Sequence, residues 1–132
     1  MPETVAYPVR EPILVLGQYW AAPFTVVVTA RGEIDASNAD DVRAYVDAAT
    51  ATCAQMVLDL SGIEFIGIAG LSALDDIGRA GPSVSRMVVV PSRAVVRLVE
   101  ACHSPSMIPV ADDVATALVA VQAGRPAMER TA

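Results

Sequence analysis

Apolar positions along this chain change period several times, and each change marks an element. Phe24-Thr25-Val26-Val27-Val28-Thr29-Ala30 is dense in β-branched residues and predicts a strand that runs out at Arg31-Gly32. Ile13–Leu16 is a shorter apolar run and predicts a first strand, with Gln18–Pro23 as a turn or excursion. After Glu33-Ile34-Asp35 the spacing becomes helical. Ala39, Val42, Val46 and Ala49 share one face, while Asp40, Arg43 and Asp47 lie off it. Ser37 or Asn38 can cap this helix, and Asp40 and Asp41 suit its positive end.

Met56–Leu60 predicts a short strand, and a helix from near Gly70 to Arg79 buries Leu71, Leu74 and Ile77 before Gly81-Pro82 stops it. Met87–Val90 is uninterrupted and apolar, the pattern of a strand covered on both faces. Pro91 closes it, and Ser92 caps a helix with a Val95, Leu98, Val99, Cys102 stripe. Met107–Val110 predicts a short edge strand that tolerates Pro109 only where no ladder bond is needed. Asp112 or Asp113 caps a last helix with Val114, Ala117, Leu118 and Val121 on one side.

The order β, β, α, β, α, β, α, β, α predicts an α/β fold: a mixed β-sheet of four to five short strands backed by about four helices. Residues 1–12 are expected to be an irregular arm, its second half bracketed by Pro8 and Pro12, with 13–123 a single domain and 124–132 a frayed tail. The first two strands, joined without a helix, should pair antiparallel or form a hairpin-like extension.

Charge changes this picture little. Nine basic residues, all arginine, stand against fifteen acidic ones for a net charge of −6, with no basic stripe for nucleic acid or an anionic membrane. No apolar run is long enough for a transmembrane span, and the first residues lack signal-peptide order, so a cytoplasmic protein is expected. Cys53 and Cys102 read as reduced core or near-core thiols, and with His103 they match no metal-ligand spacing.

No catalytic constellation stands out. His103 ends an amphipathic helix without a nucleophile beside it. Asp59 near a strand end suggests a phosphoaspartate receiver, but Glu64, Asp75 and Asp76 form no magnesium site and the chain has no lysine to hold a phosphoryl group. Gly62, Gly67 and Gly70 are too widely spaced for a P-loop or dinucleotide fingerprint; Gly67 and Gly70 suit close backbone approach or positive φ before a helix. Neither an enzyme nor a cofactor nor a metal is expected.

One segment carries more. MVLDLSGIEFIGIAGL, residues 56–71, has the layout of a loop between a buried strand and a helix. Together with VTARGEID ending at Asp35, with Gly70-Leu71 opening a helix and with the later strand–Pro91-Ser92–helix unit, it resembles a STAS domain over roughly Phe24 to Val121. That is the fold of bacterial anti-sigma factor antagonists. The resemblance implies a small sheet backed by helices. It also implies that the loop and helix dock onto an anti-sigma factor that is itself a serine kinase. The implied contact residues are Ile66, Gly67, Ile68, Ala69, Gly70, Leu71, Ser72 and Asp75, with Gly32, Asp35, Asp59 and Gly62 at structural turns.

The chain departs from the family where phosphate would go. The usual Asp-Ser-Ser/Thr-Gly reads Gly67-Ile68-Ala69-Gly70, so the phosphoacceptor position is Ala69, whose methyl group accepts nothing. Ser72 and Ser61 are displaced candidates. Ile68 offers either an apolar knob for a partner or a side chain tucked against Leu71 or Phe65. Tyr19 and Trp20 pack over the sheet edge or anchor an interface. The expected function is a non-enzymatic binding module for an anti-sigma factor or related kinase-like protein. The alternatives are a scaffold that self-associates into a homodimer through the loop, and a small-ligand sensor.

Overall fold

The valine run at residues 26–28 lies at the centre of a four-stranded sheet, fully withdrawn from solvent on both faces. The computed structural model describes residues 13–79, 86–103 and 108–123, so the expected arm at 1–12, the tail at 124–132 and the Gly81-Pro82 helix stop lie outside the described residues. The elements are β1 (Leu14–Ala22), β2 (Thr25–Ile34), α1 (Ala39–Thr50), β3 (Gln55–Ile66), α2 (Ile68–Arg79), β4 (Arg86–Val90), α3 (Arg93–Ala101) and α4 (Val114–Ala123). The sheet order is β1-β2-β3-β4, with β1 antiparallel to β2 and the other pairs parallel. This is a STAS-like α/β fold, a mixed sheet backed by four helices.

Alternation along the strands divides the core between the two faces. Val26, Val28, Met56, Leu58, Met87 and Val89 face α1, α2 and α3, whereas Val27, Val57, Val88 and Val90 face α4. The uninterrupted run at 87–90 is therefore apolar because each face has helical cover. Ser92 caps α3 as its sequence position implies, its Oγ accepting from Val95 N at 3.2 Å. Asp113 does the same for α4, accepting from Thr116 N at 2.7 Å.

Several expectations need correction. Gln18–Pro23 is not an excursion, because strand β1 continues to Ala22 and only Pro23-Phe24 turn. Strand β3 runs to Ile66 rather than ending at Leu60. It carries two register slips against β2: Thr29 pairs with Asp59 but Arg31 with Gly62, and Gly32 pairs with Ile63 but Glu33 with Phe65. Each slip adds one residue to β3. Leu60, Ile63 and Ile66 consequently reach the same core face at three-residue spacing, which no two-residue alternation anticipates. Helix α2 starts at Ile68, two residues before Gly70. Cys102 is exposed and only Cys53 packs against the core, where burial raises its thiol pKa despite a backbone hydrogen bond with Val26.

The expected strand at 107–110 is reduced, among the described residues, to a bridge between Val89 and Val110. Val89 N donates to Pro109 O at 2.8 Å, so Pro109 contributes only the carbonyl that a proline can supply.

Candidate functional site

The site forms where β2 and β3 end side by side. Ile34 pairs with Ile66, and Gly67 N donates to Ile34 O at 2.9 Å, extending the ladder by one bond before the chain turns into α2. Leu71 N then donates to Gly67 O at 3.1 Å, closing the first helical turn. The two segments that carry the family resemblance are thus joined in space at this point.

Gly70 is held by close packing. A Cβ there would stand 2.7 Å from Ile66 Cγ1 and 2.8 Å from Ile34 Cγ2, so the helix rests its backbone on two buried isoleucines. Gly67 has neither a positive φ nor such a contact; the Phe65 ring, 3.7 Å from the Cβ position, covers it. Among the described residues Gly32 is the glycine with a positive φ, +112°, and a Cβ there would meet Ile13 O at 2.1 Å.

The loop ahead of α1 is locked by side chains. Asn38 Oδ1 accepts from Asp35 N at 3.0 Å and its Nδ2 donates to Glu33 O at 2.9 Å. Asn38 precedes α1 but makes no side-chain cap bond to it, since its amide is turned back to the strand end. Asp35 accepts from the Ser37 hydroxyl and from Ser37 N, and these bonds hold its carboxyl below the ordinary carboxylate pKa. Asp59 accepts from both Ser61 N and Ser61 Oγ, at 3.0 and 2.6 Å. Asp59 and Gly62, expected at turns, lie inside β3 where the first slip occurs, because the strand bends there instead of ending.

The eight expected contact residues do not share one surface. Ile66, Gly70 and Leu71 are buried, Gly67, Ala69 and Asp75 are half-buried, and Ile68 and Ser72 are exposed. Ile68 is 62% exposed and Phe65 50%, so an apolar pair brackets the start of α2. Asp76, on α2, is bound by Arg43 Nη2 at 3.1 Å and by Arg79 at 3.5 Å, and Arg43 also bonds Asp40. Of these pairs Arg43–Asp76 is the one that joins α1 to α2, and at a partly exposed position it does so weakly.

Sequence reasoning missed a groove of about 280 Å³ between α2 and α3, whose walls include Leu71, Leu74, Val95, Val96 and Val99. Asp75 from α2 and Glu100 from α3 are its acidic members. Val96 and Val110 are the exposed apolar residues in it; Val96, next to the helical stripe, was the signal available in the sequence. Among the described residues no cluster of His, Cys, Asp and Glu could hold a metal ion, and no helix is long and apolar enough to cross a membrane.

Comparison with known proteins matches residues 21–117 to the STAS domain. The anti-sigma-F factor antagonist RsfA of Mycobacterium tuberculosis is 33% identical over 102 residues, which cover 72% of this chain and 78% of that protein. The crystal structure of an anti-sigma factor antagonist from Mycobacterium paratuberculosis superimposes with a TM-score of 0.69 over 83% of this chain and 94% of that one, at 24% identity. SpoIIAA in its unphosphorylated form gives a TM-score of 0.59 at 14% identity, covering 85% of this chain and all (100%) of that one, a likeness of fold.

Proposed function

Because the chain belongs to the STAS domain family, we propose that it is a non-enzymatic anti-sigma factor antagonist-like module whose partner docks on the first turn of α2. STAS-domain regulatory modules are generally non-catalytic, and the relatives named above are anti-sigma factor antagonists. The observation that carries the reading is Ile68, which stands 62% exposed beside Ala69. An isoleucine left in water at a helix start, next to Phe65, gains about 1.5–3 kcal/mol if a partner buries it fully, before ordering costs.

Control by phosphate at residue 69 is excluded by its methyl group, so binding at this site is constitutive unless Ser72 or Ser61 takes over. Ser61 already donates its hydroxyl to Asp59. Ser72 is exposed one turn into α2.

The test uses candidate anti-sigma kinases with ATP, wild-type protein, Ile68→Asp and Ala69→Ser, reading complex formation and phosphate transfer. The expected result is wild-type binding without label, loss of binding in Ile68→Asp, and labelling of Ala69→Ser. Stoichiometric labelling of wild type at Ser72 defeats the claim of an unswitched module. Failure to bind any kinase-type partner defeats the antagonist role.

The apolar groove between α2 and α3 supports a second reading, a sensor for a small apolar ligand. Mass spectrometry of the purified protein under native and denaturing conditions separates the two, since a co-purifying small molecule favours the sensor.

A further inference from the structure

We propose that a second copy of this chain pairs with the outer edge of β1, antiparallel about a two-fold axis at Gly17, joining two sheets into one. This interface is independent of the α2 docking surface.

The two sheet edges are treated differently. At β4 the segment around Pro109–Ala111 hydrogen-bonds to Val89 and covers part of the edge. At β1, among the described residues, no strand pairs with the outer side. This strand is nine residues long, LVLGQYWAA, and contains neither a charge nor a proline. Edge strands are normally guarded by such residues against pairing with another chain. Because the strand carries no charge of its own, no like charges face each other when two copies pair along it.

Backbone alternation decides which groups face outward. Glu33 N donates to Ile13 O at 2.7 Å, which makes Ile13–Glu33 a hydrogen-bonded pair. In an antiparallel ladder such pairs alternate, so Val15, Gly17 and Tyr19 spend their backbone groups on β2. Leu14, Leu16, Gln18 and Trp20 then direct theirs outward.

One self-pairing register uses all of them. With Gly17 opposite itself, Leu14 pairs with Trp20 and Leu16 with Gln18 across the two-fold, and every outward N–H and C=O finds a partner. The same register sets Val15 opposite Tyr19. The register thus uses the large apolar residues left exposed on β1: Val15 at 53%, Tyr19 at 49% and Trp20 at 50%. Aliphatic–aromatic cross-strand pairs are favourable, and a glycine on the axis leaves the two backbones free to approach. A surface that complements itself about a two-fold is the geometry of a closed dimer rather than a filament. Two strand edges are a small interface, so the dimer is weak and dissociates on dilution.

Analytical ultracentrifugation of the full chain across a concentration series tests this. Wild type is expected to pass from monomer to dimer as concentration rises. Val15→Glu should be monomeric throughout. Val15→Glu combined with Tyr19→Lys should recover the dimer, now salt-sensitive, because each new carboxylate faces the other copy's ammonium. Within one copy the two positions are about 13 Å apart, too far to pair. Gln18→Pro removes an outward N–H that the monomer does not use, and should abolish the dimer while circular dichroism stays native. A wild type that is monomeric at every concentration overturns the proposal and assigns the edge to another occupant. So does a double variant no more dimeric than Val15→Glu, or a dimer that Val15→Glu leaves unchanged.

Discussion

Gly70 lies directly against Ile66: the Cβ it lacks would stand 2.7 Å from Ile66 Cγ1. That distance sets how α2 sits on the strand ends, and so where Ile68 and Ser72 point. Gly70→Ala therefore has a defined cost. Alanine improves helix propensity by about 1 kcal/mol, but overpacking against the branch atoms of Ile66 and Ile34 costs about 1–3 kcal/mol. A net loss of up to about 2 kcal/mol is expected in urea unfolding. A raised midpoint would show that the contact is not tight.

Ile68 and Leu71 are three residues apart and opposite in burial, at 62% and 6% exposure. Ile68→Ala should leave unfolding within about 0.5 kcal/mol of wild type, while weakening partner binding measured by calorimetry. Leu71→Ala should lower stability by about 2–5 kcal/mol through the cavity it leaves. Equal destabilisation by the two variants contradicts the exposure of Ile68.

Asn38 satisfies a donor at Asp35 and an acceptor at Glu33 from a position only 8% exposed. Removing it in Asn38→Ala leaves both groups unpaired, with an expected loss of about 1–3 kcal/mol in thermal or urea unfolding. Asn38→Asp keeps the acceptor but sets a carboxylate against the Glu33 carbonyl, so it should not rescue. A fully stable Asn38→Asp would show that the bond to Glu33 is dispensable.

Asp35 gives a pH dependence. Its folded pKa is below the unfolded value, because the Ser37 hydroxyl and then the Ser37 N–H bind the charged form. The contribution is complete above the ordinary carboxylate pKa and is lost as pH falls through the lowered one. In Ser37→Ala the Asp35 carboxyl carbon should titrate at higher pH by NMR, and the stability gap to wild type should close in acid. An unmoved titration would refute the assignment.

Much of the fold was legible because its signals are local. The valine run at 26–28, the doubly covered strand at 87–90 and the Ser92 cap follow from period, branching and a hydroxyl placed before a helical stripe. The STAS resemblance was likewise carried by short segments in order. The candidate site was legible only as a stretch of chain. Whether each of its residues reaches solvent is a property of what packs beside it. Gly70 and Ile68 illustrate this, the first buried on two isoleucines and the second open to solvent.

By itself the sequence determined the αβ order up to α3, the apolar faces of the central strands, the caps at Ser92 and Asp113 and the absence of a hydroxyl at Ala69. Only the tertiary structure decided that β3 continues through two slips to Ile66, that Ile68 faces outward, and that α2 and α3 enclose an apolar groove. Periodicity is fixed by a residue's own neighbours along the chain, whereas a bulge needs a partner strand to slip against and exposure needs distant segments to pack or stay away.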